Sequence, residues 1–274
     1  MHYTLDGLVI REMAWGENDK RIVLLTANRG RVSILAKGAR SMKSKYMNAI
    51  GLFTYGNYEV TERNGYAWLS GASIHEPFFG LRNDIERLAL SSYVVDLAGE
   101  LSGEEEPAED ILRLTLNTLY AIEKEIKPPE QIKATYELRA MSVSGYMPDL
   151  SGCSVCGSER FSHVYLDAVN GVLKCSDCLN RLDPAKAHVE DEPTVGAVLV
   201  PLSMGSVAAA RYVIDAPMEK VLSLILDEEQ RRQLSKLGET YAIHQLEKRL
   251  SSLDFYTQIV GGTGGAVSFH PQTK

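Results

Sequence analysis

Four cysteines, the only ones among 274 residues, stand as Cys153-Ser-Val-Cys156 and, eighteen residues on, Cys175-Ser-Asp-Cys178. Two thiolates three positions apart on a tight turn can point at one ion, and two such turns complete a tetrahedral sulfur shell. Gly157 supplies a pliable residue where the first knuckle must curl its N–H groups towards the sulfurs. The competing readings are two disulfides, a thioredoxin-like redox pair, or four unrelated buried thiols. Nothing else in the chain suggests an oxidising compartment, and a redox pair needs no matching second pair. The spacing therefore predicts zinc, or a surrogate metal, on Cys153, Cys156, Cys175 and Cys178. With four protein ligands no position is left for water or substrate, so such a metal holds structure and performs no chemistry. Asp167, His163 and Asp177 lie nearby and are expected to be surface residues or supporting partners.

Length allows two or three domains, and 45% hydrophobic with 24% charged residues is ordinary for a globular chain. No run approaches the length of a membrane span, and no signal peptide is expected ahead of the first strand pattern. Cysteines in metal spacing agree with a reducing cytoplasm. A net charge of −7 speaks against nucleic acid, but the average hides an asymmetry. Residues 1–80 hold ten Lys+Arg against seven Asp+Glu, and from Lys20 to Tyr58 there is no carboxylate at all. That stretch carries Lys20, Arg21, Arg29, Arg31, Lys37, Arg40, Lys43 and Lys45. A local positive field on an acidic protein is the pattern a polyanion partner needs.

The amino-terminal part reads as β structure: strands over 3–13, 22–26, 31–37, 53–62 and 66–73, with hairpin turns at Asn28-Arg29-Gly30 and Asn64-Gly65. Five short antiparallel strands predict a small closed barrel, the OB-fold being the expected choice and a plain sheet the alternative. From Leu81 the apolar period becomes helical, with Asn83 or Asp84 as candidate cap. Further helices are expected after Pro107, from Pro129 to Gly145, over 193–202, 206–214 and 218–226, and as one long helix from Asp227 to Leu253. The fold class is thus α+β: an OB barrel over 1–80 and a helical domain over 81–258 carrying a cysteine module at 151–182. A flexible tail is expected over 259–274, where Gly261-Gly-Thr-Gly-Gly265 lacks the strand and helix of a phosphate loop.

No arrangement looks catalytic. Six histidines are scattered, and no nucleophile elbow, phosphate loop or zinc-protease helix is present. The basic barrel remains. Arg31 and Lys37, six apart, are expected on one strand face, and Arg40, Lys43 and Lys45 extend the strip through a loop whose Gly38, Ser41 and Ser44 admit close approach to phosphates. Phe53, Tyr55 and Trp68 are expected in the barrel core, whereas Trp15 and Tyr46, in loops, are the candidates for stacking a base.

These residues resemble a known family, the bacterial recombination mediator RecO. The likeness runs through Glu17-Asn-Asp-Lys-Arg-Ile-Val-Leu-Leu-Thr26, Gly30-Arg-Val-Ser-Ile-Leu-Ala-Lys-Gly-Ala-Arg40 and Glu137-Leu-Arg139. It continues in Gly145-Tyr-Met-Pro-Asp-Leu150 running into the first knuckle, and in Ser251-Ser-Leu-Asp-Phe255. The resemblance implies an N-terminal OB-fold, a helical C-terminal domain and a zinc knuckle set into it. It implies binding of single- and double-stranded DNA and annealing of complementary strands, without nucleotide hydrolysis. With RecR as partner, the chain would help RecA displace single-strand binding protein, in the cytoplasm at the nucleoid. The family's DNA-contacting strip maps onto Lys37, Arg40, Lys43 and Lys45. Some members lack the cysteines, so the metal is not essential to the shared activity. A groove for the acidic tail of single-strand binding protein is also implied; Arg113, Lys133 and Arg139 lie in the helical body, but no motif marks them. The rival readings are an RNA- or protein-interaction module on the same barrel, and a zinc-dependent nucleic-acid enzyme.

Overall fold

The computed structural model describes residues 1–181 and 197–261. Five strands close a barrel in the order β1-β2-β3-β5-β4, where β1 is His2–Trp15, β2 Asp19–Thr26, β3 Gly30–Ala36, β4 Tyr55–Arg63 and β5 Tyr66–Glu76. Closure depends on β1, which at fourteen residues is long enough to serve two neighbours. It pairs antiparallel with β4 through His2–Leu8 and with β2 through Gly7–Trp15. A bulge between Val9 and Arg11 gives the bend that lets one strand turn from one partner to the other. The ring is sealed by a parallel contact of β3 with β5 at Leu35 and Trp68, the arrangement of an OB-like barrel.

Alternation decides what fills the barrel. Leu5 and Val9, Ile22 and Leu24, Val32 and Ile34, and Tyr58 and Val60 point inward and form one buried cluster. Residues between them on β2 and β3, such as Arg21, Arg31 and Ser33, are left on the outer face. The β4–β5 turn is the expected Asn64-Gly65 pair, both with positive φ (51° and 77°), as a two-residue hairpin of this type requires. Phe53 is fully buried as expected, but Tyr55 and Trp68 are half-buried and stand outside the barrel's buried cluster: Trp68 pairs with Thr61, whose neighbour Val60 points inward, and Tyr55 lies against His75. Phe53 itself precedes β4.

By chain contacts the described residues fall into two compact units. The first comprises Met1–Leu112, Ile122–Lys124 and the segment from Arg249 onward. Besides the barrel it holds α1 (Ile85–Leu101), capped by the Asp84 carboxylate accepting from the Arg87 N–H, and α7 (Ser251–Gly261), which packs on α1. Helix α2 (Glu109–Glu123) runs through both units' sequence segments.

The second unit comprises Arg113–Ala121 and Glu125–Lys248. Its centre is α3 (Pro129–Val143), opened by proline as expected and buried almost all round from Gln131 to Met141. Against it lie α5 (Met204–Asp215) and α6 (Glu228–Gln245). The unit also holds a four-stranded sheet, order β6-β8-β7-β9, built from Asp149–Cys153, Val172–Cys175, Val164–Asp167 and Leu199–Leu202, with the short α4 (Ser176–Arg181) following β8.

Three expectations need correction. The segment read as a helix over 193–202 contains β9, which pairs antiparallel with β7 from Val164↔Leu202 to Asp167↔Leu199; residues 193–196 lie outside the described residues. Four residues carry no period of their own, and the neighbouring strand decides. The single long helix from Asp227 to Leu253 is two helices. At its break Glu247 takes a left-handed φ of 51°, Glu247 N–H donates to His244 O and Lys248 N–H to Ile243 O. That is a Schellman ending with glutamate where glycine is usual. The tail expected from 259 begins inside α7, which continues to Gly261; the remainder lies outside the described residues.

Candidate metal centre and nucleic-acid interface

The knuckle is assembled by the ends of β6 and β8. Cys153 closes β6, Cys175 closes β8, and Cys178 sits in the first turn of α4. After Cys153 the chain curls, with Gly157 N–H donating to Cys153 O (2.8 Å) and Cys153 N–H to Ser158 O (2.8 Å). Gly157 takes φ of 70°, which supplies the reason for glycine there. The four sulfurs lie within 4.8 Å of one another, and Cys156 and Cys175 are 3.9 Å apart. Sulfur at ~2.3 Å from a tetrahedral ion gives S–S edges of about 3.8 Å, so the cluster fits one ion. It is the only such group of three or more ligating side chains among the described residues.

Burial raises the Cys153 thiol, but the N–H groups of Cys175, Cys156 and Val155 outweigh it and bring the group down to about 6. Burial pushes Cys178 up. The side chains flanking the cluster do not join it. Asp167 is fully buried, held by Lys174 (2.9 Å), Asn170 (2.8 Å) and two N–H groups at the β7–β8 turn. His163 and Asp177 are exposed.

On the barrel, the connection from Lys37 to Thr54 carries the basic strip and contains turns but no helix. It is stapled to the barrel at both ends of its basic run. Gly38 N–H donates to Asp19 Oδ1 (2.8 Å), and Arg40 N–H and Nη1 reach Asn18 O (3.0 Å) and Gly16 O (3.1 Å) of the β1–β2 turn. Tyr46 OH donates to Ser70 O of β5 (2.6 Å), and Ala39, Ala49 and Ile50 are buried pegs. Lys37, Arg40, Lys43 and Lys45 are exposed. None pairs with a carboxylate among the described residues, and Lys45 lies over the Tyr46 ring at 4.8 Å. The stapling limits how much of the loop must be ordered when a ligand binds.

The acid-free stretch of sequence is not acid-free in space. Lys20 pairs with Glu12 (2.9 Å) and Arg29 with Glu105 (2.5 Å). Arg31 does not accompany Lys37, because β3 ends at Ala36. It is half-buried on the outer face of β3 and lines a cleft with Arg21, Arg29 and Arg63. Arg63 directly follows Glu62 and lies outside the acid-free stretch, so counting charges along the sequence does not single it out. Of the stacking candidates, Trp15 ends β1, is 43% exposed and has the Arg21 guanidinium 5.9 Å from its ring. Tyr46 is half-buried and tied down by its hydroxyl.

The helical-body cations fare differently. Lys133 is buried between Glu137 (2.8 Å) and Glu239 (2.9 Å), Arg113 pairs with Glu219, and Arg139 reaches Val213 O at 3.5 Å. Lys133 therefore cannot serve an incoming acidic tail. No helix among the described residues is long and apolar enough to cross a membrane.

An OB-like barrel, a helical body and a four-cysteine knuckle in this order are matched by two family models. The one described as Recombination protein O N terminal covers residues 1–78, and Recombination protein O C terminal covers residues 82–254. The chain belongs to the RecO family. Among relatives, the DNA repair protein RecO of Acetivibrio thermocellus is 32% identical over 91% of this chain and 94% of its own length. That of Anaeromyxobacter sp. is 31% identical over 93% and 96%, and that of Symbiobacterium thermophilum 27% over 92% and 96%. RecO membership makes this a protein of DNA repair, and it accounts for a barrel and a helical body in one chain.

Proposed function

We propose that this protein binds single- and double-stranded DNA through the barrel and promotes annealing of complementary strands. With RecR it helps load RecA onto DNA coated by single-strand binding protein. The observation that carries this reading is the exposed set Lys37, Arg40, Lys43 and Lys45, none paired with a carboxylate among the described residues, held on a barrel of RecO type. Each phosphate neutralised there releases counterions, so four contacts give useful, salt-sensitive binding without sequence preference. Annealing then follows without an enzymatic step: a positive surface offsets the repulsion of two strands and raises their local concentration. The ion at Cys153, Cys156, Cys175 and Cys178 is zinc, since an all-thiolate tetrahedral set suits it and leaves no open position for catalysis. The protein is accordingly a non-enzymatic mediator, working in the cytoplasm at the nucleoid.

Mixing two labelled complementary oligonucleotides with the full-length protein tests the reading by fluorescence transfer. Annealing is expected to accelerate at least ~10-fold at low salt and to fall steeply as salt rises. RNA is expected to compete poorly. An unaltered annealing rate, RNA binding in preference to DNA, or zinc-dependent cleavage of the strands would each overturn it.

A further inference from the structure

Arg31 and Arg63, both in the first unit, have guanidiniums without a hydrogen-bonding or ionic partner among the described residues, and the Nε of Arg31 is withdrawn from solvent. Both line one open cleft of about 640 Å³, together with Arg21 and Arg29. The cleft lies on the outer face of β2 and β3 beside the Asn64-Gly65 turn of β4 and β5. That is the face on which OB barrels take oligonucleotides. Arg21 is aimed by its Nε donating to Ser33 Oγ (2.5 Å), and Arg29 lies over the Tyr3 ring at 4.8 Å.

Three carboxylate residues, Glu62, Glu104 and Glu105, line this cleft beside its four arginines; Glu62 accepts from Tyr3 OH (3.1 Å), and Glu105 engages an arginine. Glu105 accepts two hydrogen bonds from Arg29, Nε to Oε2 at 2.8 Å and Nη2 to Oε1 at 2.5 Å. The loop bearing it is laid on the β2–β3 hairpin by backbone bonds, Arg31 N–H to Gly103 O (2.9 Å) and Glu105 N–H to Arg29 O (3.0 Å). Gly30 permits this approach, since a Cβ there would stand 2.3 Å from Gly103 O. Glu105 itself holds a left-handed φ of 60°. A forked carboxylate on arginine presents two oxygens sharing one charge, as the non-bridging oxygens of a phosphodiester do, and the Glu105 side chain is itself exposed to solvent.

We propose that this cleft is a second phosphate site, closed by the chain's own Glu105, and that a phosphodiester of single-stranded nucleic acid displaces that carboxylate from Arg29. Arg31 and Arg63 are then the groups waiting for the strand, and Glu105 is a competitor that weakens binding until the strand arrives. The inference rests on the DNA-binding reading above and adds a contact outside the Lys37–Lys45 strip.

The test uses the full chain and an oligo-dT strand, comparing parent, Glu105→Gln, Arg31→Gln with Arg63→Gln, and Lys37→Glu with Arg40→Glu. Glu105→Gln is expected to tighten binding about fivefold, a gain that misfolding cannot mimic. The double arginine variant is expected to weaken binding roughly 10-fold and to flatten the log–log salt slope by about 1.4, the share of two phosphates on a single strand. If both cleft variants bind like the parent while the Lys37 and Arg40 variant has lost affinity, the cleft is no phosphate site and the DNA reading survives. If all three bind like the parent, both fail. Tight, saturable binding of inorganic pyrophosphate, with oligo-dT affinity untouched by the cleft substitutions, would assign the cleft to free phosphate and overturn the strand.

Discussion

Replacing Cys153 with serine is expected to strip the bound metal and unfold the knuckle locally. Cys153 would supply one of the four thiolates of the proposed zinc site, and its sulfur accepts the Cys175 N–H at 3.4 Å, so it also ties β6 to β8 directly. Structural zinc supplies about 10–16 kcal/mol to the folding of small zinc modules, and a site cut to three thiolates keeps only part of that. The sheet around it is thin: β6 and β8 share two register pairs, at Asp149 and Cys153. Beyond the cysteines, the buried cluster there has, among the described residues, only Phe161 packed against it. Metal content is expected to fall from about one equivalent to near none after dialysis against a chelator. Protease cleavage within 154–181 should appear at temperatures where the parent is resistant. DNA binding should change less than about twofold, because a metal with four protein ligands has a structural task. A variant that kept its metal and its resistance would mean that the cysteines are not ligands.

The second large effect is expected at Lys133. Its side chain is 3% exposed, and Glu137, one helical turn on, is fully buried. Glu239 of α6 completes the group, and Gly238 makes the approach possible, since a Cβ there would stand 2.8 Å from Glu137 Oε2. Lys133→Met leaves buried carboxylate charge without its cation, which costs about 3–5 kcal/mol. Urea denaturation should show the midpoint falling with little change in slope. Adding Glu137→Leu should recover part of the loss, because a matched apolar pair is far less costly than a lone charge. Burial alone would lower the Lys133 pKa, but Glu137 and Glu239 more than offset it and hold it above 10.5. A raised folded-state value means the contribution is intact through neutral pH and is lost only as pH climbs through that value. Stability unaffected by Lys133→Met would show that the α3–α6 contact is carried by its apolar neighbours alone.

What was readable beforehand follows how local each signal is. The cysteine pairs, the Asn64-Gly65 turn, Pro129 at a helix start and Gly145 at its end act within four residues: the turn and the helix ends form where their chemistry predicts, and the four sulfurs come together at a spacing that fits one ion. β9 was not readable, because Leu-Val-Pro-Leu becomes a strand only by lying beside β7. The break after α6 was hidden because Glu247 adopts the conformation for which glycine is the usual marker.

The proposed interface divides in the same way. Counting charges along the chain located Lys37, Arg40, Lys43 and Lys45, all exposed. It could not show that Arg29 is answered by Glu105, seventy-six positions away. Nor could it show that Arg31 leaves the strip for a cleft shared with Arg63. Pairings of that kind are set by the fold's long-range closures, to which a sliding window is blind.

The salt dependence of single-stranded DNA binding, measured on the full-length parent and on Lys37→Glu with Arg40→Glu, tests the central claim most directly. Four phosphate contacts predict a parent slope of log affinity against log salt of about −3 or steeper. The double variant should lose roughly 100-fold in affinity at low salt and show a slope shallower by at least about 1.4, while melting like the parent. Equal affinities and equal slopes would mean that the loop after β3 does not hold the nucleic-acid backbone.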